Sequence, residues 1–103
     1  MSTRSLLMHL RVLFLPLLAA CAPALEGDAA AGGPIFATNC SSCHGADGTG
    51  GSGPSLVDST YAEAKTVDIV TNGDGDMPAF SGSLSDQDIA DVAAYVDVTF
   101  VNP

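Results

Sequence analysis

The clearest hydrophobic pattern in the chain lies near its carboxy end, where Ile89, Val92, Ala93, Val96 and Phe100 recur at helical spacing and form one apolar face. Ser85 precedes that run and Asp88 follows three residues later, a capping-box signature that starts the helix there. A second helix is predicted from about Tyr61 to Thr71, with Val67 and Val70 on one side and Asn72-Gly73 as a left-handed stop. A third is predicted from the N-cap acid Asp28 to Thr38, with Gly33-Pro34 as an interruption able to kink or delay it. Between these segments, residues 45–54 hold five Gly and one Pro, so residues 45–60 read as a loop, as do residues 74–82. No stretch alternates over strand length. The predicted fold class is therefore all-α.

Charge divides the chain into unlike pieces. Arg4 and Arg11 flank or precede a short apolar stretch, Val12 to Leu18, that ends in Ala19-Ala20, the layout of a secretory signal over residues 1–20. That stretch is too short for a membrane-spanning helix, which needs about 20 apolar residues. Leu18-Ala19-Ala20-Cys21 resembles a bacterial lipoprotein signal, which implies cleavage before Cys21 and lipid on its sulfur. A soluble periplasmic protein cleaved slightly later, without Cys21, is the alternative. Residues 21–27 then form a short tether, and residues 28–103 form one small domain outside the cytoplasm.

Beyond residue 20, Lys65 is the one cation against 12 carboxylates. Without a basic stripe to neutralise phosphates, nucleic-acid binding is excluded. The acid either keeps the surface solvated or steers a partner with a basic docking face. A domain this small buries only about 60% of its unfolded surface, so it calls for a disulfide, metal or cofactor as added support.

Cys40-Ser41-Ser42-Cys43-His44 has the spacing of the c-type haem attachment motif. Two intervening residues let both thiols meet neighbouring vinyl groups, and the adjacent imidazole reaches the iron. A structural disulfide, half a zinc site and a thioredoxin-like motif are the rival readings, and each lacks a required partner. Zinc needs about four ligands, and no βαβ unit surrounds the motif. Beyond the signal, His44 and Met77 are the only His and Met. Met77 is then the remaining soft ligand for the second axial position, unless it fills the core or the iron site stays open. Asn72, Asp74 and Asp76 alternate like a calcium loop, but Met77 and Ser83 stand where Gly and Glu are required.

With this motif, the downstream Met77-Pro78 and three helices, residues 28–101 resemble a small class I cytochrome c, a bundle of three main helices around a covalently bound haem. The resemblance implies that Gly32, Phe36 and Tyr95 form the crossing of the first and last helices. It implies that Pro54, in Gly53-Pro54-Ser55-Leu56, accepts a hydrogen bond from the second nitrogen of the axial imidazole. Leu56, Val70, Phe80 and Leu84 become expected pocket walls. Gly33-Pro34 and the absence of Trp depart from the family pattern, and the lysine-rich docking face of some relatives is missing. The implied activity is one-electron transfer to redox partner proteins in a respiratory or dehydrogenase-linked chain. The chain is then not an enzyme. A haem sensor that releases Met77 to admit a gas, and a domain whose haem is only a structural staple, are the alternatives.

Overall fold

In the computed structural model, which describes residues 25–103, the chain forms four helices and a closing π-helical turn. The expected signal and Cys21 lie outside the described residues. Helix α1 spans Ala29–Asn39 and starts where the Asp28 carboxylate accepts from the Ala30 N–H at 3.0 Å. It continues through Gly33-Pro34, because burial of Gly32 and Phe36 outweighs local propensity. After Cys40 the chain makes one further turn, α2, Ser41–His44.

Helix α3 spans Glu63–Asn72 and begins slightly later than its hydrophobic pattern suggests. Ala62 is extended, at φ −65° and ψ 154°, and so stands as the N-cap, which sets the first helical residue at Glu63. The predicted stop is in place: Gly73 has φ +79° and its N–H donates to the Ile69 carbonyl at 2.7 Å.

Helix α4, Asp86–Val96, carries both bonds of the predicted capping box, Asp88 N–H to Ser85 Oγ at 3.0 Å and Ser85 N–H to Asp88 Oδ2 at 3.2 Å. The expected continuous helix to Phe100 instead widens into a π-helical turn over Asp97–Val101. That extra residue per turn still leaves Phe100 buried. Among the described residues there is no strand, only an isolated bridge between Asp74 and Met77, and no helix is long and apolar enough to cross a membrane.

The first and last long helices cross at Gly32. A Cβ there would run into the Asp91 carbonyl and lie 2.8 Å from Tyr95 Cβ, so this approach requires glycine. Beside the crossing, Phe36, Tyr95 and Phe100 form a triangle of rings with centroids 5.2–5.7 Å apart. Phe36, Ile89 and Val92 are the most deeply buried large side chains. Asp91 is buried but satisfied, accepting from the Asp28 N–H and from Gln87 Nε2, each at 2.8 Å.

Candidate haem-binding site

The attachment motif sits on α2, the turn that follows α1. The His44 N–H donates to the Cys40 carbonyl at 3.0 Å and Ser41 Oγ caps the Ala37 carbonyl at 2.7 Å, which winds the motif into a helical turn. That turn brings Cys40, Cys43 and His44 onto the wall of a cavity of about 710 Å³. Such a volume lies within the roughly 300–1,000 Å³ of cofactor sites. Cys40 is buried and Cys43 exposed, neither in a disulfide. Burial, with the Cys43 thiol beside it as the smaller cause, pushes the Cys40 thiol up to about 11, so at neutral pH it is a protonated thiol.

His44 is 8% exposed, and its Nδ1 lies 2.8 Å from the Pro54 carbonyl. A carbonyl only accepts, so Nδ1 carries the proton and Nε2 keeps its lone pair for a metal. The loop that supplies Pro54 is built on glycine. Gly45, Gly48 and Gly50 have positive φ, and the Gly53 N–H donates to the Cys43 carbonyl at 2.8 Å. A Cβ on Gly53 would lie 3.1 Å from His44 Cε1, so this backbone forms a close cradle for the ring.

Met77 lines the same cavity as His44, together with Pro54, Leu56 and Val70. It is presented by a two-bond bridge: the Asp74 N–H donates to the Met77 carbonyl at 3.1 Å and the Met77 N–H returns to the Asp74 carbonyl at 2.9 Å. Gly73 makes the turn possible, because a Cβ there would lie 2.8 Å from the Met77 carbonyl oxygen.

Phe80 and Leu84 do not line the cavity; they pack against the hydrophobic core, half-buried. The cause is a backbone turn after Met77-Pro78, where the Phe80 N–H donates to the Val70 carbonyl at 2.9 Å and the Phe80 carbonyl accepts from Leu84 at 2.8 Å. In their place Phe36, Ile69 and Val96 supply apolar wall, and Ser59, Thr60 and Tyr61 supply polar wall. Periodicity put Val96 on a buried face and the resemblance put Phe36 at the helix crossing, but neither could say that these side chains turn to a cavity. Asp58, Asp74 and Asp76 also line it, with no Lys or Arg among them. Lys65 is instead engaged, at 3.9 Å, with Asp68 in an exposed pair.

Two thiols, an imidazole with a free lone pair and a thioether around one apolar cavity fit a covalently attached iron porphyrin. A family model described as cytochrome c oxidase, cbb3-type, subunit III matches residues 27–96. Cytochrome c6 of Picosynechococcus sp. is 43% identical over 89 residues, covering 72% of this chain and 75% of that protein. Cytochrome c6 of Leptolyngbya boryana is 43% identical over 76 residues, covering 67% of this chain and 89% of that one. The crystal structure of cytochrome c6 from the diatom Phaeodactylum tricornutum superposes with a TM-score of 0.65 at 40% identity, over 73% of this chain and 97% of the diatom protein.

The chain is a class I c-type cytochrome. It binds one covalently attached haem c and works as an electron carrier, not as an enzyme. As an all-α cytochrome its fold is the one expected from hydrophobic spacing and motif together. The matched segment starts at residue 27, and the chain is already ordered against the bundle there: the Glu26 carbonyl accepts from Gln87 Nε2 at 2.8 Å.

Proposed function

We propose that this cytochrome is a lipid-tethered electron shuttle on the outer side of a bacterial membrane. In it, Cys40 and Cys43 would hold haem c through their sulfurs, and His44 Nε2 and Met77 Sδ would be the chain's ligands to its iron. The observation that carries this reading is the 2.8 Å contact from His44 Nδ1 to the Pro54 carbonyl beside a cavity shared with both thiols and Met77. The bound haem supplies one-electron exchange between two iron oxidation states. The chain's own residues do the rest. Pro54 orients the imidazole and sustains its basicity, Met77 as a thioether favours the reduced state and raises the potential, and Phe36, Leu56, Val70 and Val96 exclude water. With His44 and Met77 both supplied by the chain, little in the protein would have to rearrange during transfer.

The proposed anchor is a lipid on Cys21, after removal of residues 1–20, with the domain working in a respiratory or dehydrogenase-linked chain. Its redox partner presents a basic face, since the cavity wall carries Asp58, Asp74 and Asp76 and no cation. A reduced-minus-oxidised spectrum and the mass of the mature protein test the whole reading. The expected result is a c-type spectrum with a weak methionine-to-iron band in the red, haem that stays on the chain in denaturant, and acyl mass at Cys21. Ready binding of carbon monoxide by the native reduced protein would overturn the shuttle in favour of a sensor from which Met77 departs. Exchange rates with a basic partner fall as ionic strength rises; flat rates would remove the steering role of the carboxylates.

A further inference from the structure

Helix α3 separates two recesses. Its residues Thr66, Ile69 and Val70 line the haem cavity, whereas Ala64, Val67 and Thr71 line a groove of about 420 Å³ against α4, and no residue lines both. The angular spacing of a helix puts these two sets on different flanks. Glu63 of α3, Asp86, Ile89 and Ala90 of α4, and Leu25 and Gly27 of the segment that enters the domain complete the groove wall.

That entering segment is clamped. Gln87 Nε2 donates to the Glu26 carbonyl and to Asp91 Oδ1, each at 2.8 Å, and Asp91 Oδ1 also accepts from the Asp28 N–H at 2.8 Å. Gly27 lies so close to α4 that a Cβ would meet the Ala90 carbonyl and, at 2.8 Å, Ala94 Cβ. The tether therefore leaves the bundle at one defined point, beside the groove. Leu25 stands there 56% exposed, an apolar side chain at the groove wall.

We propose that this groove face, with Leu25 at its edge, is the membrane-facing side of the domain. It rests on the lipid-anchor reading of Cys21. From Cys21 to Leu25 the chain reaches about 14 Å at full extension. An anchor that short, fixed at the groove, holds this flank of α3 against the headgroups and turns the cavity flank toward solution, where a redox partner can reach it. Glu63 and Asp86 on the groove wall select the lipid chemistry: zwitterionic headgroups with exposed ammonium, not anionic ones.

The test uses lipidated, haem-loaded protein on phosphatidylethanolamine and phosphatidylcholine vesicles. One added thiol is placed on the groove by Ala64→Cys, or at the cavity wall by Asp58→Cys, and its reaction with a bulky polyethylene-glycol maleimide is timed on vesicles and in detergent. The expected result is labelling slowed several-fold on vesicles at position 64 and unchanged at position 58. Adding Gln87→Ala, which opens the clamp, brings the two positions together. Equal rates at both positions in the clamped protein, or slowing at position 58 instead, overturn the orientation while leaving the anchor intact. A mature mass without acyl groups overturns the anchor, and the orientation with it.

Discussion

The crossing of α1 and α4 and the loop over residues 45–60 both depend on glycine, but for opposite reasons. At the crossing, Gly32 has ordinary helical backbone and is needed because a neighbouring helix occupies the space a side chain would take. In the loop, Gly45, Gly48 and Gly50 are needed first for their positive φ, which L side chains avoid. The crossing is held by apolar burial around Phe36, Ile89 and Val92. The loop has no apolar centre of its own; it is held by backbone hydrogen bonds, such as Gly50 N–H to the His44 carbonyl and Leu56 N–H to the Gly48 carbonyl, both 2.8 Å. One region supplies stability, and the other places a carbonyl against His44.

That division can be broken by substitution. Phe36→Ala removes the ring shared by Tyr95, Phe100 and the cavity wall, and is expected to cost about 3–5 kcal/mol of unfolding free energy in denaturant titrations. A loss below about 1 kcal/mol would move the stabilising centre away from the crossing. Gly32→Val is expected to follow, at about 3 kcal/mol, because the Asp91 carbonyl is backbone and cannot step aside.

In the loop, Gly48→Ala is expected to cost about 1–2 kcal/mol for its backbone at φ +73°, and more to the extent that the Phe100 ring 2.6 Å from the new methyl fails to shift. Gly53→Ala sharpens the contrast, since its methyl would press on His44 at 3.1 Å. Its expected signature is a changed midpoint potential and axial-ligand spectrum with a stability loss within about 1 kcal/mol. A large stability loss with an unaltered potential would mean that the loop is structural and not a positioning device.

The smallest effect is expected at Asp47, whose carboxyl is held below its usual range by the Thr49 hydroxyl at 2.8 Å and then by the Thr49 N–H. A lowered carboxyl contributes stability above its ordinary pKa of about 3.9 and loses it as pH falls through the lowered value. Asp47→Asn should therefore flatten the acid limb of the stability profile by removing this small contribution at neutral pH, with the two proteins converging below the lowered value. An unchanged acid limb would separate this loop turn from the folding equilibrium.

Short-range chemistry was legible before any coordinates. The Ser85/Asp88 capping box, the Asn72-Gly73 stop and the Asp28 cap all formed as their residue types require, because each needs partners only a few residues away. The second turn of helix carrying the attachment motif was missed because two serines, two cysteines and a histidine have little helical preference of their own. It forms because α1 precedes it and its carbonyls cap it. Phe80 and Leu84, expected as cavity wall, pack half-buried against the core that Phe36, Val70 and Val96 share with the cavity, because apolar character does not say which part of a buried surface a loop residue meets.

From residue order alone came the class of the fold, the spacing of the two thiols beside an imidazole, and the one remaining thioether, all matters of local covalent geometry and elimination. Contacts between distant segments settled what those could not: that the Pro54 carbonyl meets His44, that Phe36 and Val96 face the cavity, and that α3 stands between cavity and groove. The physical reason is that burial rewards many arrangements of the same apolar faces almost equally. Backbone hydrogen bonds and steric gaps such as those at Gly32, Gly53 and Gly73 pick one of them, and these exist only once the chain has folded.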